Sequence, residues 1–311
     1  MVKNLRITDS SDIQIAVLLT CFNRKQNTID CLTALHNQIL PEGVKFSVYL
    51  VDDGSTDGTA SAVQEAFPSV NIISGDGCLF WNGGMRRAFT AAAQHAYDYH
   101  LWLNDDTLLA PTALSTLLAT SQVLWEQEDA STTPSLRHAI IVGAIQDPDT
   151  GKHTYGGHLR THRLHPFKYR MVIPNGKPQR CQMMNGNCVL IPQSVFRQVG
   201  NLDPAFSHSY GDFDYALRAE RQGCSVWTTP GYVGTCKRNP PQSTVWTNPN
   251  LTLKERFKRV NQPKGLPFRE QLVFTRRHAG WLWPFFWLLP YARLCLSALQ
   301  LSSQKRTVQG T

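Results

Sequence analysis

Short apolar runs alternate with amphipathic stretches along the first third of the chain. Residues 13–20 (IQIAVLLT) form a run of strand length, whereas apolar side chains recur at three- and four-residue spacing through 27–39, as on one face of a helix. The same alternation predicts strands at 46–51, 70–73 and 99–103 and helices at 59–67 and 83–97. It indicates a mostly parallel, doubly wound α/β sheet with right-handed crossovers and flanking helices.

The alternation weakens beyond about residue 135, where turns separate short apolar pieces. Further along, the predicted regular elements are strands at 187–191 and 225–228 and helices at 194–199 and 212–222. No internal repeat or linker divides the first 240 residues. We therefore predict one domain over residues 1–245 and a separate C-terminal tail at 246–311.

Polar clusters follow three of the predicted strands. They are residues 20–24 (TCFNR), 52–55 (DDGS) and 104–106 (NDD). Ligands of doubly wound sheets bind beyond the carboxyl ends of the strands. One site built from three strand ends therefore explains these clusters better than three unrelated turns do.

Asp105 and Asp106 are adjacent acids at the end of a predicted strand. Neighbouring carboxylates repel each other, and a cation between them relieves that repulsion. Hard divalent ions such as Mg2+ bind carboxylate oxygens and keep positions for phosphate oxygens, so this pair could help to neutralise a departing diphosphate. The alternative is a solvated helix N-cap, which the pair taken alone slightly favours because acids commonly cap helices.

Two further segments are candidates for contacts with a nucleotide. Asp53 closes a buried strand at the ligand edge, where its carboxylate could accept the imide N–H of a pyrimidine base, although helix capping is equally supported. A glycine-rich segment (GDGCLFWNGGMRR) contains Gly83 and Gly84. Its backbone N–H groups could receive phosphate, helped by Arg86 or Arg87. A tight turn with solvated arginines is the alternative that this segment alone favours.

A second acid pair, Asp212 and Asp214, begins a predicted helix. Because the two residues are two positions apart on a helix, their carboxylates point in different directions. One can therefore act on a ligand while the other orients or caps. A carboxylate at the edge of a cleft suits removal of a proton from a sugar hydroxyl, and an N-cap with an exposed acid is an equally supported alternative.

Composition narrows the class of protein. With 311 residues, 42% of them hydrophobic, the chain can bury a globular core. The formal charge of +8 comes from residues 251–311, while the rest of the chain is nearly neutral. Basic residues therefore do not follow a groove, and no nucleic-acid partner is expected. The eight cysteines are scattered and the N-terminus lacks an apolar signal, so we expect reduced thiols and a cytoplasmic location.

Four ordered segments resemble the motifs of family 2 glycosyltransferases, the inverting enzymes of the GT-A fold. These segments are 15–24 (IAVLLTCFNR), 50–59 (LVDDGSTDGT), 102–107 (WLNDDT) and 203–223 (DPAFSHSYGDFDYALRAERQG). The resemblance covers roughly residues 13–240. Within the family it is nearest to bacterial rhamnosyltransferase-like members that build surface polysaccharides. It implies a nucleotide-binding half at 13–110 and an acceptor half at 135–240.

The resemblance implies roles for the donor-side residues. Thr20 and Phe22 would line the nucleobase pocket, and Asp53 would hold the base of a UDP- or dTDP-linked sugar. Gly83, Gly84 and Arg87 would contact the nucleotide-sugar. Asp105 and Asp106 occupy the metal motif, with Asp106 as the direct ligand of Mg2+ or Mn2+.

Asp212 matches the catalytic base of the family, which deprotonates the acceptor hydroxyl for in-line attack on the anomeric carbon. Such a single displacement inverts the anomeric configuration. The acceptor would be a glycan or a lipid-linked glycan in cell-surface polysaccharide synthesis. Asp214 is the runner-up for the base.

Three departures from the family pattern stand out. Gly211 replaces the acid that usually precedes the base, and Asn104 replaces the first acid of the metal motif. Thr235 and Cys236 occupy the place where many members carry a metal-binding histidine, so no histidine ligand is assigned. His208 is a loose candidate for that role, and a histidine of the acceptor loop is the preferred interpretation.

The most apolar stretch of the chain is 281–299 (WLWPFFWLLPYARLCLSAL). Its length approaches that of a membrane span, but two prolines and Arg293 interrupt it. Together with basic residues at 254–259 and 276–277, it predicts a helical tail lying on the inner face of the cell membrane. The alternative is a helix pair packed on the catalytic domain or on the partner in a homodimer.

Two classes of function remain for testing. The leading hypothesis is a transferase that uses a nucleotide-activated sugar. The alternative is a non-catalytic, membrane-attached relative that binds nucleotide-sugar or glycan. Retention of Asp53, Asp105, Asp106 and Asp212 favours the enzyme, because a protein without turnover has no reason to keep all four.

Overall fold

The computed structural model describes residues 12–127, 138–162, 165–239, 248 and 251–308; for 297–308 it describes the backbone. Residues 1–11, which belong to the N-terminus expected to lack an apolar signal, lie outside the described residues. The predicted boundary between domain and tail, at 245–246, also lies outside them.

The N-terminal half is a set of parallel strands separated by helices. Its elements are β1 (Ile13–Cys21), α1 (Lys25–His36), β2 (Val44–Asp52), α2 (Thr59–Ala66), β3 (Asn71–Ser74), α3 (Phe80–Ala92) and β4 (Tyr99–Leu103). The strands pair in the order β3-β2-β1-β4. Cys21 lies opposite Asp52 in the register, so β1 and β2 end side by side. The polar clusters that follow them are thereby brought together.

The C-terminal half extends the same sheet and adds a smaller one. Its elements are β5 (Leu108–Leu109), α4 (Ala113–Glu126), β6 (Ala139–Gln146), β7 (His153–Tyr155), β8 (Gly157–Arg160), β9 (Tyr169–Met171), β10 (Gln179–Cys181), β11 (Met183–Met184), β12 (Cys188–Pro192), α5 (Gln193–Val199), α6 (Gly211–Arg221) and β13 (Ser225–Thr235). β12 runs antiparallel between β4 and β6, and β13 runs parallel to β6. β11, β8 and β9 form the second sheet.

The central sheet has an apolar core on each face. Side chains alternate between the faces of a strand, and on β1 they divide accordingly. Ile15, Val17 and Leu19 belong to the core that includes α1 and α4. Ala16 and Leu18 belong to the core that includes α3 and α6. The predicted α/β sheet with flanking helices is confirmed.

The first turn of α3 differs from the prediction. The helix begins at Phe80 rather than Gly83 and ends at Ala92 rather than Tyr97. The carboxylate of Asp53 accepts the backbone N–H groups of Leu79 and Phe80, both at 3.0 Å. These donors have no partner within the helix, so the carboxylate fixes an earlier start.

In the tail residues that the structure describes, there are three helices and a short 3-10 turn. They are α7 (Leu253–Val260), α8 (Phe268–His278), the 3-10 turn (Gly280–Leu282) and α9 (Trp283–Val308). Thr252 and Glu255 form a capping box at the start of α7. In the part of the chain that the structure describes, no helix is long and apolar enough to cross a bilayer.

α9 continues through Pro290 instead of breaking there. A proline within a helix has no N–H for the carbonyl four residues earlier. That carbonyl, of Phe286, instead receives the side-chain amide of Gln271 on α8 at 3.4 Å. The neighbouring helix therefore compensates for the lost hydrogen bond, which a reading of the local sequence does not reveal.

Candidate active site

A cavity of about 830 Å3 opens at the carboxyl ends of β1, β2 and β4. The polar clusters that follow these strands meet in its wall. Six of the predicted site residues line it: Thr20, Phe22, Asp53, Asp105, Asp106 and Asp212. One site therefore receives side chains from widely separated parts of the sequence, at the sheet edge where such folds bind ligands.

Gly83, Gly84 and Arg87 lie on α3, outside the cavity wall. A Cβ on Gly84 would stand 2.1 Å from Oγ1 of Thr20, so this glycine lets the helix approach β1 closely. Arg87 is exposed. The predicted contacts of these three residues with the nucleotide-sugar therefore have no support in the cavity geometry.

Asp53 holds the segment that leads into α3. Its carboxylate accepts the backbone N–H groups of Gly77 at 2.9 Å and of Leu79 and Phe80 at 3.0 Å. Gly77 and Phe80 line the cavity beside Asp53. Asp53 thus shapes the rim of the cavity, in addition to any contact it makes with a ligand.

Asp105 and Asp106 share one internal cation. The guanidinium of Arg24 donates to Oδ1 of Asp105 at 2.9 Å and to Oδ2 of Asp106 at 2.7 Å. Burial raises the pKa of Asp105 to about 7, against the lowering effect of Arg24. Arg24 was part of a motif quoted above, yet its pairing across 81 positions could not be read from the sequence.

The acid pair has the chemistry of a divalent-metal site. Oδ2 of Asp105 and Oδ1 of Asp106 are buried and have no hydrogen-bond partner, so each keeps free acceptor capacity. Among the described residues, no three His, Cys, Asp or Glu side chains converge. Two carboxylates fit Mg2+ or Mn2+ if water and phosphate oxygens complete the coordination shell.

Asp212 faces the cavity from the first turn of α6. Its Oδ2 accepts the backbone N–H of Gly186 at 3.0 Å, and its Oδ1 accepts the N–H of Phe213. Burial raises the pKa of Asp212 to about 6. A carboxylate with a pKa near neutrality is a better proton acceptor than an ordinary one, and hydrogen bonds fix its orientation.

Asp214 points away from the cavity and is fully buried. It accepts hydrogen bonds from Arg218 at 2.8 Å, Arg277 at 2.6 Å and His278 at 2.8 Å. Burial alone would raise the pKa of Asp214, but hydrogen bonds from these three side chains lower it. The two acids therefore have separate roles: Asp212 faces the cavity, whereas Asp214 anchors the tail to α6.

The structure also shows the surroundings of the two residues considered in place of a metal-binding histidine, Cys236 and His208. Cys236 lies beside Asp106, and burial raises the pKa of its thiol to about 12, so it stays protonated. His208 lines the cavity close to Lys264, and burial lowers its pKa to about 4. It is a neutral side chain near Lys264, and it forms no part of the acid pair.

The tail supplies a second wall of the cavity, which the sequence did not indicate. Phe286, Leu289, Pro290 and Arg293 of α9 line it, together with Phe274 of α8. No local motif marks these residues as part of the site, because their contribution depends on how α8 and α9 dock. This contact agrees with the predicted alternative, in which the tail helices pack on the domain.

The mostly parallel sheet with flanking helices and a cavity at its strand ends is the arrangement of the GT-A fold. Residues 16–125 match the family described as Glycosyl transferase family 2. The resemblance to this family that was stated from the sequence is therefore confirmed over residues 16–125.

Curated relatives point to the same family. N-acetylglucosaminyl-diphospho-decaprenol L-rhamnosyltransferase, from two strains of Mycobacterium tuberculosis, is 26% identical to this chain over 199 residues. The match covers 57% of this chain and 62% of the relative. This chain thus spans less than two thirds of the relative's length.

Solved structures share the fold. The mannosyltransferase PcManGT from Pyrobaculum calidifontis, in complex with GDP-Man and Mn2+, superposes with a TM-score of 0.52 at 15% identity, covering 98% of this chain and 79% of that one. S. aureus TarS 1–349 in complex with UDP has a TM-score of 0.50 at 10% identity, covering 85% and 70%. At these identities the likeness concerns the fold alone.

Proposed function

We propose that this chain is an inverting glycosyltransferase that moves a sugar from a UDP- or dTDP-linked donor to a glycan or lipid-linked glycan acceptor. One observation carries the proposal: the general-base candidate Asp212 and the acid pair Asp105–Asp106 face the same cavity. The first suits deprotonation of a hydroxyl, and the second suits a diphosphate with its metal. The rhamnosyltransferase named above, with its lipid-linked acceptor, supports this substrate class.

The donor would bind at the strand-end side of the cavity. Thr20 and Phe22 offer an edge for the nucleobase, and Phe22 is half exposed, so its ring is available for stacking. Asp53 supports the same edge through the backbone of Gly77 and Phe80. A pyrimidine base fits the free acceptor capacity that its carboxylate keeps.

The diphosphate would lie at Asp105 and Asp106. These residues would hold Mg2+ or Mn2+, and a bound divalent ion supplies positive charge that stabilises a departing diphosphate. Arg24 adds a guanidinium at the same place. Because it occupies one oxygen of each acid, it leaves the other oxygen of each for a metal.

Asp212 would carry the proton transfer. Its carboxylate takes the proton of the acceptor hydroxyl as that oxygen attacks the anomeric carbon, while the bond from this carbon to the diphosphate oxygen breaks. The new glycosidic bond has inverted configuration, the nucleoside diphosphate leaves, and protonated Asp212 returns its proton to water. The backbone N–H of Gly186 keeps the carboxylate directed into the cavity.

The protein would work at the inner face of the cell membrane. Trp281, Phe285, Leu288 and Leu296 of the tail are exposed apolar side chains, Trp281 at 85%, and we call them the outer stripe. Such a stripe suits the headgroup region of a bilayer. Two of the tail's basic residues serve the fold instead: Arg256 is buried, and Arg277 pairs with Asp214.

A screen of UDP-, dTDP- and GDP-sugars for metal-dependent release of nucleoside diphosphate tests the proposal. We expect turnover with one pyrimidine donor and its loss in Asp106→Asn. Asp149→Asn, an exposed acid outside the cavity, is the matched control and should keep full turnover. Binding of donor without any turnover, in the presence of acceptor, would favour the non-catalytic alternative.

A further inference from the structure

The cavity has two chemically different ends. The strand-end side carries Asp53, Asp105 and Asp106, whereas the opposite side is aromatic and aliphatic. At that apolar end the rings are in direct contact. Ring centroids lie 5.4 Å apart for Phe167 and Phe274, 5.5 Å for Phe167 and Phe286, and 4.9 Å for His165 and Phe286. A wall of this composition is suited to apolar surface rather than to sugar hydroxyls.

Two cations stand at the apolar end. Lys264 and Arg293 line the cavity there, and both are exposed. Neither forms a hydrogen bond or an ion pair with any residue that the structure describes. Two uncompensated cations beside an apolar wall suit a ligand that carries an anionic group next to an apolar chain.

The apolar end continues onto the outer surface of the tail. A groove adjoins it, lined by apolar side chains, two histidines and an arginine: His162, His165, Leu282, Phe285, Phe286, Leu289 and Arg293. Phe286, Leu289 and Arg293 belong to both the cavity and this groove. Phe285 also belongs to the outer stripe. An apolar path therefore runs from the cavity that holds Asp212 to the exposed face of α9.

We propose that this path, formed by Phe286, Leu289, Lys264 and Arg293, binds a lipid-linked acceptor by its phosphate and the first units of its chain. The inference rests on the proposed transferase function and names its acceptor site. The phosphate lies at Lys264 and Arg293, since the acids at the other end repel it. The chain runs over Phe286 and Leu289 towards Phe285, and the sugar reaches Asp212.

The test measures binding of farnesyl diphosphate to the full chain by calorimetry, with EDTA and saturating UDP present. EDTA and UDP exclude binding at the donor end. Inorganic diphosphate and farnesol are the matched probes, because each lacks one half of the amphiphile. We expect farnesyl diphosphate to bind at least about tenfold more tightly than either probe, since both halves contribute.

Variants separate the two halves of the site. Lys264→Gln/Arg293→Gln should weaken the binding of farnesyl diphosphate by about tenfold and leave the binding of farnesol unchanged. Lys258→Gln/Arg269→Gln removes the same charge from exposed tail positions outside the cavity and should change neither. Leu289→Asn should weaken the binding of farnesyl diphosphate and of farnesol alike. Leu288→Asn, a neighbouring position outside both cavity and groove, is its control.

Two results would overturn the inference: equal binding of farnesyl diphosphate and inorganic diphosphate, or equal losses in the Lys264/Arg293 variant and its control. Donor turnover measured on the same proteins separates this failure from failure of the proposed function. Unmodified protein that releases nucleoside diphosphate normally but shows no selective farnesyl diphosphate binding contradicts the acceptor site alone. Selective binding without donor turnover contradicts the transferase.

Discussion

The two ends of the cavity are built in different ways. The strand-end side takes its polar residues from contiguous motifs that follow β1, β2 and β4, and the register of those strands aligns them. The apolar end takes single residues from a loop near β9, from α8 and from α9. Parallel strands bring chemistry to a sheet edge by topology, whereas the apolar end depends on the docking of the tail. In the proposed function, the first end would specify the reaction and the second would select the acceptor.

Removal of the proposed general base, Asp212, has the largest expected effect on turnover. Asp212→Asn should lower turnover about 100- to 10,000-fold, because general-base catalysis contributes that much. Nucleotide binding should stay near normal, since the nucleobase edge is formed by Thr20 and Phe22 of the β1 end and not by α6, which carries Asp212. Steady-state kinetics and UDP calorimetry measure the two effects. Full activity would exclude Asp212 as the base, and Asp149→Asn is the control.

Separating the tail from α6 should cost stability. Arg277→Met removes one of three donors to fully buried Asp214, and leaving a buried charge undercompensated costs up to about 3–5 kcal/mol. The remaining donors, Arg218 and His278, place the expected loss at the lower end, about 2–3 kcal/mol. Chemical denaturation measures it. Exposed Arg276→Met should change stability little; equal losses in both variants would contradict a specific anchor.

The pH dependence should report the raised pKa of Asp212. The base must be ionised, so kcat/KM should rise with pH and level off above about 6. The folded protein binds this proton more tightly than the unfolded chain. The contribution of Asp212 to stability therefore falls as pH rises from 3.8 towards about 6. A rate that is constant from pH 5 to 8 would contradict the assignment.

Arg24 should compete with a divalent ion for the acid pair. Arg24→Gln removes the internal cation from Asp105 and Asp106, so Mn2+ should bind roughly two- to fivefold more tightly, as expected for a partly exposed ion pair worth up to about 1 kcal/mol. Calorimetric titration with Mn2+ measures this change. Lys25→Gln, an exposed neighbour, is the control. Weaker Mn2+ binding would show that Arg24 organises the acids instead.

The sequence was sufficient for the parts of the site that rest on local motifs. Strand–helix alternation predicted the sheet, and the end of β4 placed Asp105 and Asp106 at its edge. Asp212 and Asp214 were expected to point in different directions, and they do. In each case a local period determines where a side chain lies.

The remaining features depend on contacts between distant segments. The carboxylate of Asp53 accepts hydrogen bonds from backbone N–H groups 24 to 27 positions away. These bonds start α3 at Phe80, so Gly83 and Gly84 lie within the helix rather than at its beginning. Arg277 and His278 decide which acid of the pair is buried. Gln271 stabilises the helix at Pro290 through a carbonyl. No spacing rule predicts these pairings, because they follow from tertiary packing.

The stereochemistry of transfer tests the central claim most directly. The selected donor and a short-chain prenyl diphosphate sugar would be incubated with the enzyme, and the anomeric configuration of the new glycosidic bond would be assigned by proton NMR. One general base facing the cavity, with a metal-suited acid pair for the diphosphate, predicts complete inversion. Retention of the donor configuration would contradict single displacement and the role given to Asp212.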